Sequence, residues 1–367
     1  MNFALSDDQV MFKSTIRKLF DQYEQTALAR KLLEGDDLVI ATVYSKLTEL
    51  GATAISISED YGGLQLATLD TVPVLEEIGR ALYPGNYAET IGFAAQVIER
   101  FGTVEQKEAY LPGIAAGEMV FSLASIEPQK TFNFQKIDVK LTHSQGTLQL
   151  NGVKTIVPTL LVTHFIVVAS DDEKRIVLCI VPVEKTVVQQ LKSFDQTTPV
   201  ALVKFDQVAL TEVDIIRHED ALDTGLKSLN AAISAIQVGA MERIVEMTSD
   251  YAKIREQFGQ PIGRFQAVKH KLADMKVELE IARSLSHYAS WAVDTEASDI
   301  EEAVYSARAY STDAFIRIAA ESIQLHGGIC FTEELDCHLY VKRSRFYEHY
   351  LGTVTDFNEK IAVALNL

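Results

Sequence analysis

The chain has 367 residues, 47% of them apolar and 23% charged, a globular mix that excludes disordered, collagen-like and low-complexity classes. Lys and Arg number 34 against 51 Asp and Glu, a net charge of −17. A field of that sign repels phosphate backbones, so neither a nucleic-acid binder nor a protein held on an anionic membrane surface is expected.

At roughly 150 residues per domain the length predicts two or three domains. Residues 1–118 read as helical. Ser6 and Gln9 have capping-box spacing, and Val10, Phe12, Ile16, Leu19 and Phe20 follow at helical intervals. Further helices are predicted over 38–50, 69–82, 88–101 and 104–117, punctuated by Gly62, Gly63, Pro84 and Gly85. Over 119–217 the pattern changes to short β-branched runs at Thr147–Leu150, Phe165–Ala169, Ile176–Val181 and Ala201–Phe205. Turns at Ser144-Gln145-Gly146 and Asp171-Asp172-Glu173 separate them, which predicts an antiparallel β domain. Over 218–367 longer helices return. An apolar stripe runs from Ala231 to Met247, a second helix spans Phe265 to Thr295, a third 300–325, and one or two shorter ones end the chain. The order helical, β, helical is not the βαβ alternation of a doubly wound sheet.

No GxGxxG follows a strand, and GxxxxGK[ST], HExxH and GxSxG are missing. Cys179, Cys330 and Cys337 show no CxxC or zinc spacing, so no metal site is expected. A sparse, odd cysteine count suits a reducing cytoplasm. The opening MNFALSDDQV lacks a basic region and a long apolar run, so no secretory signal is expected there. No run approaches the ~18 apolar residues of a membrane span.

Four patterns coincide with this layout. Ser58-Glu59-Asp60-Tyr61-Gly62-Gly63-Leu64 is followed by Leu75-Glu76-Glu77-Ile78-Gly79-Arg80. Phe101-Gly102-Thr103-Val104-Glu105-Gln106-Lys107 runs on to Tyr110-Leu111-Pro112 and Gly117-Glu118. Arg255-Glu256-Gln257-Phe258-Gly259-Gln260-Pro261-Ile262 precedes Phe265-Gln266 and Ala273-Asp274-Met275. The last is Gln324-Leu325-His326-Gly327-Gly328. Together they resemble the acyl-CoA dehydrogenase family over nearly the whole chain. The resemblance implies an α+β fold with an N-terminal helical domain (1–118), a middle antiparallel β domain (119–217) and a C-terminal four-helix bundle (218–367). It also implies FAD, a homo- or hetero-oligomer, and α,β-desaturation of an acyl-CoA thioester, with an electron-transfer flavoprotein as acceptor.

Carried over residue by residue, the resemblance places Arg255 on the FAD diphosphate of a neighbouring subunit, with Gln257 and Phe258 beside it. Gln324, Gly327 and Gly328 would meet the same diphosphate, and Thr353 would lie near FAD. The residues also have plainer readings. Arg255 taken alone reads as a surface pair with Glu256 or Asp250, and with Gln257-Phe258-Gly259 beside it as a pyrophosphate contact. Phe258 is either a flavin neighbour or a core residue. Gly327-Gly328 suits a helix C-cap as well as a ligand, and Thr353 suits a helix N-cap. His326 reads as a hydrogen-bonded core histidine. Lys342, Arg343 and Arg345 read as a solvated face, an ion-pair network or a contact for CoA phosphates.

The departures from the family pattern bear on function. Removing a proton next to a thioester needs a carboxylate in an apolar pocket. The family's Tyr-Glu-Gly-Thr reads Tyr350-Leu351-Gly352-Thr353 here, and an alternative base position matches Leu229, also apolar. Glu348 is the remaining candidate base, with a pair to Arg345 as its plainer reading; Glu333, Glu334 and Asp336 are weaker. The family's Thr-Glu-Pro reads Ile126-Glu127-Pro128, and its Trp-Ile-Thr reads Ile156-Val157-Pro158, where proline has no N–H to give a flavin. Residues matching the diphosphate side persist while those matching the ring and the base are missing. The expectation is a subunit that completes the FAD site of a competent partner. The alternatives are a self-sufficient dehydrogenase with a relocated base, or a non-catalytic acyl-CoA-binding scaffold.

Overall fold

The computed structural model describes residues 5–23, 26–128, 134, 136–144, 146–332 and 335–367. Gln145 of the predicted first turn, Gln129, Lys130 and Thr131, and the candidate bases Glu333 and Glu334 lie outside the described residues.

Among those residues the chain opens with α1 (Asp7–Asp21), α2 (Ala27–Leu33), α3 (Asp37–Glu49) and α4 (Val72–Arg80). A π-helix over Ala88–Ala95 leads into α5 (Gln96–Phe101) and then α6 (Val104–Ala115). The strands follow: β1 (Phe121–Ala124), β2 (Lys140–Ser144), β3 (Thr147–Pro158), β4 (His164–Ser170), β5 (Ile176–Pro182), β6 (Val187–Leu191), β7 (Val200–Leu210) and β8 (Ile215–Ile216). The long helix α7 (Ala221–Ile254) comes next, then a two-stranded hairpin β9 (Glu256–Gln257) and β10 (Gln260–Pro261). α8 (Gln266–Thr295), α9 (Ile300–His326), α10 (Cys337–His349) and α11 (Val354–Ala364) complete the fold. No helix among the described residues is long and apolar enough to cross a membrane.

Local chemistry explains the starts. The Ser6 hydroxyl accepts from Gln9 N at 3.2 Å while Gln9 Oε1 accepts from Ser6 N at 2.9 Å, the capping box expected for α1. Thr103 and Gln106 repeat it at α6. The predicted helix over 88–101 departs from expectation in its first half, which winds as a π-helix. There the Thr90 hydroxyl donates to Asn86 O at 2.8 Å and accepts from Phe121 N at 2.9 Å, tying the widened turn to β1.

The contacts divide the chain into two compact units. One comprises 36–71 and 84–229 and holds the sheet, ordered β6-β7-β3-β2-β4-β5-β8 with β1 on β4. The antiparallel expectation needs correcting, because the sheet is mixed. β1 pairs parallel with β4, from Phe121↔His164 to Ala124↔Val167, and β2 meets β4 parallel at Lys140↔Ser170. Parallel neighbours need a crossover, and the β2–β3 hairpin lies in the connection from β1 to β4. The other pairs are antiparallel.

The second unit comprises 1–35, 72–83 and 230–367. At its centre α9 packs against α8, α10 and α11, and it meets α7 through Gln237 Nε2 donating to Thr312 at 3.1 Å and Thr248 donating to Ser322 at 2.9 Å. α4 crosses α7 at two glycines. A Cβ on Gly79 would lie 1.8 Å from Ile236 O, and one on Gly239 would lie 1.7 Å from Glu76 O. Only glycine lets the two backbones come this close.

A charge network flanks the crossing. Arg17 holds Glu77 bidentately at 2.9 and 2.6 Å. Buried Glu76 meets Lys13, and His287 Nε2 at 3.0 Å. Burial alone pushes the Glu76 pKa up, but the His287 hydrogen bond and the charges of Lys13 and Arg283 outweigh it and hold the carboxyl at about 2. A carboxyl held low in the folded chain adds stability above its ordinary 4.5 and loses it as the pH falls toward 2. Glu76→Gln is therefore expected to flatten the acid limb of the stability curve within that window. Urea midpoints at stepped pH check this; an identical acid limb in wild type and variant would refute it.

Candidate functional site

The residues matched to the diphosphate side all lie in the α7–α11 unit. α7 ends at Ile254 and Arg255 follows at once. The Arg255 side chain is exposed and has no hydrogen-bond or ion-pair partner among the described residues, so its pairing with Glu256 or Asp250 is not found; Asp250 pairs with Lys253 at 2.8 Å. The β9–β10 hairpin turns on Phe258 and Gly259, both left-handed at φ 52° and 76°, as a tight two-residue turn requires. Phe258 is 93% exposed, which removes its core reading, and touches Phe265 edge-on at 6.0 Å. Gln257 is exposed and donates to Glu256 O at 2.8 Å.

α9 ends at His326, with Gly327 left-handed at φ 70° just past it. A Cβ on Gly327 or Gly328 would meet nothing within 4 Å, so this backbone is open to a close ligand. Gln324, one turn earlier, is exposed. The two segments are joined: the Tyr251 ring stacks on His326 at 4.4 Å and its hydroxyl donates to His326 O at 3.3 Å. The helix that delivers Arg255 thus touches the helix end that presents the glycine pair. Thr353 caps α11, its hydroxyl donating to Asp356 Oδ2 at 2.7 Å and accepting from Asp356 N at 3.3 Å.

The base position is apolar and enclosed. Leu351 is 0% exposed and left-handed at φ 62°, in the turn between α10 and α11. Leu229 is also buried. Glu348 pairs with Arg345 at 2.9 Å and lies 3.7 Å from the His349 ring, the plainer of its two readings. Asp336 pairs with Arg30 at 2.6 Å. Next to the turn sits a residue the sequence reading passed over. Arg308, on α9, is fully buried; it donates to Tyr347 O at 2.9 Å and Tyr350 O at 3.0 Å, and its other partners are Asn230, Gln237 and Thr312. Its contacts are carbonyls, amides, a hydroxyl and the Tyr347 and Phe357 rings, with no carboxylate among them. Burial lowers its pKa to about 10. A buried guanidinium therefore fixes the end of α10 and the backbone entering Leu351. The basic run 342–345 is not one solvated face, since Arg343 is buried.

The ring-side positions lie in the other unit. Ile156 sits at a bulge between Lys154 and Val157, left-handed at φ 54° and 41% exposed, a strained conformation for a β-branched side chain. Pro158 is buried. Glu127 is occupied structurally: its carboxylate accepts from Asp138 N at 2.8 Å, Val139 N at 2.9 Å and the buried Lys154 ammonium at 3.0 Å. Lys154 also donates to Ser125 O at 3.1 Å. Neither the bulge nor the buried ion pair leaves a linear signature.

The donor set at Arg255, Gln324 and the glycine pair fits a diphosphate: a guanidinium without a partner among the described residues, an exposed amide and an open backbone. The ring-side set does not offer the hydroxyl and N–H that a flavin ring would accept from.

The family model for the acyl-CoA dehydrogenase N-terminal domain matches residues 6–118, and that for the C-terminal domain matches 221–356. The probable acyl-CoA dehydrogenase YngJ of Bacillus subtilis is 26% identical over 387 residues, with both chains covered in full. The FAD complex of PigA superposes with a TM-score of 0.91 at 22% identity over 100% of each chain. The ChsE4-ChsE5 complex of Mycobacterium tuberculosis superposes with a TM-score of 0.88 at 22% identity, over 100% of this chain and 99% of the other. With the same helical, sheet and helical parts and both terminal domains matched, the chain belongs to the acyl-CoA dehydrogenase family of FAD-dependent flavoproteins.

Proposed function

We propose that this chain is the base-less subunit of a heteromeric acyl-CoA dehydrogenase and completes the FAD site of a competent partner subunit. Leu351 carries this reading: at the family's base position the side chain is buried, apolar and unable to take a proton. Glu348, the nearest substitute in sequence, is committed to Arg345. FAD, when bound, supplies the acceptor for the hydride that leaves the β-carbon of the acyl thioester. Arg255 neutralises the diphosphate, Gln324 and the Gly327-Gly328 backbone donate to it, and exposed Phe258 gains cover when the partner docks. Leu351 and the Arg308-clamped turn keep this chain's own equivalent site shut to proton transfer. A heteromeric relative of the same fold, the ChsE4-ChsE5 complex, supports the arrangement.

The test is the visible spectrum and acyl-CoA turnover of the purified chain, alone and co-expressed with related acyl-CoA dehydrogenase subunits. Alone it should hold little flavin and turn nothing over; one partner should restore both. Stoichiometric flavin with turnover by the homo-oligomer would sink the proposal. If Glu348→Gln then abolished that turnover while flavin stayed bound, the relocated-base reading would replace it.

A further inference from the structure

Three side chains whose spacing matches no usual zinc pattern meet in one place. His326 ends α9, Cys330 lies in the turn that follows, and Cys337 opens α10. All three are buried, and the imidazole nitrogen and both sulfurs lie within 4.8 Å of one another. We propose that His326, Cys330 and Cys337 form a binding site for a thiophilic divalent ion of the zinc class.

The geometry is close to what such an ion takes. Zinc holds sulfur at about 2.3 Å and nitrogen at about 2.0–2.1 Å in a tetrahedron, which sets sulfur and nitrogen roughly 3.6 Å apart. Cys337 Sγ lies 3.7 Å from His326 Nδ1 and 4.0 Å from Nε2, and the three ligand atoms all lie within 4.8 Å, so a contraction of up to about 1 Å completes the set. The tautomer is also fixed. His326 Nδ1 lies 2.8 Å from the Ser322 carbonyl, which only accepts, so Nδ1 carries the proton and Nε2 keeps its lone pair. A ligand histidine held by a backbone carbonyl through its other nitrogen is the usual supporting arrangement in metal sites. The Tyr251 ring at 4.4 Å holds the imidazole plane from one side. The Ser322 hydroxyl lies 3.6 Å from Cys337 Sγ and supports its thiolate form. On binding, both thiols lose their protons to solvent and two thiolates balance the charge of the ion. Three protein ligands leave a fourth position for a small oxygen donor. Cys179 is on β5 in the other unit and takes no part.

The consequence is mechanical. The ion would tie the end of α9 to the start of α10 across the turn that begins at Gly327-Gly328. The proposal does not rest on the flavin reading, and its test uses zinc alone.

Full-length protein, purified under reducing conditions, is stripped with a chelator and titrated with zinc. One zinc per chain is expected, with a melting temperature that rises on addition and falls back with chelator. Removing a supporting group around a metal ligand already costs about 10–100-fold in affinity, so Cys330→Ser or Cys337→Ser should each cost at least about 100-fold, and Cys179→Ser nothing. The zinc-dependent melting shift of the wild type stands even if a variant fails to fold. No zinc uptake by the wild type overturns the proposal, as does equal uptake by the Cys330→Ser/Cys337→Ser double variant. Oxidation by diamide to a Cys330–Cys337 disulfide in a protein that takes no zinc would make the cluster a thiol pair instead.

Discussion

Replacing Arg255 by glutamine in the proposed heteromer is expected to weaken flavin retention by about 10- to 100-fold, with activity falling in step as flavin is lost. A charge-assisted hydrogen bond is worth about 1.5–3 kcal/mol, and each 1.4 kcal/mol is a factor of ten. Arg255→Lys keeps the charge and loses the fork, so an intermediate loss is expected. The fold should not notice either change. The side chain is exposed and unpartnered among the described residues, and such surface substitutions stay within about 0.5 kcal/mol. Flavin absorbance per heteromer after dialysis reads the first effect and thermal unfolding reads the second. Unchanged flavin retention with an unchanged fold would show that Arg255 does not reach a diphosphate in trans.

Gly239→Ala should produce the largest loss of stability, about 3 kcal/mol or more. Its new Cβ would lie 1.7 Å from Glu76 O, and backbone on a packed helix cannot move aside as a side-chain tip can. Overpacking a close-packed site typically costs about 1–3 kcal/mol, and here the two helices must part along their whole contact. Parting them also pulls on the network that Glu76 and Glu77 make with Lys13, Arg17 and His287. Gly79→Ala strikes the same crossing from the other side, at 1.8 Å from Ile236 O, so the double variant should cost clearly less than the sum of the two. Gly328→Ala is the control, since its Cβ meets nothing within 4 Å. Denaturant midpoints at neutral pH decide the matter; a Gly239→Ala midpoint equal to that of Gly328→Ala would show that the crossing yields.

What was legible in the sequence was what local chemistry decides. The Ser6–Gln9 box, the long apolar stripe of α7 and the β-branched runs of β4 and β5 each carry their own signal within a few residues. Of the strands that escaped, β1, β6 and β8 lack it. β1 is four residues buried on both faces and shows no alternation, β6 has hardly any buried face, and β8 is two residues long. The parallel pairing of β1 with β4 depends on sheet order, which no local pattern encodes. The site divides the same way. Arg255, Gln324 and Gly327-Gly328 are candidates from sequence because the family motif is linear. Arg308, Lys154 with Glu127, and the His326–Cys330–Cys337 cluster were not, because their partners come together only in the folded chain. Phe258 reads equally well as a flavin neighbour or a core residue, and the left-handed turn of its exposed hairpin removes the core reading.

The α4–α7 crossing also constrains the order of events as the chain is made. The unit that contains it is assembled from 1–35, 72–83 and 230–367. When the ribosome has finished α4, the helix that must receive Gly79 is still roughly 150 residues from being synthesised, and at about 5–20 residues per second that is a wait of about 8–30 seconds. Throughout it α1 and α4 carry a half-built ion network and a glycine notch with nothing in it. The intervening 84–229 form the other unit together with 36–71, both already made, and can close first. Nascent chains stalled before residue 230 would then present the N-terminal helices as a chaperone client, and release would come with the emergence of α7.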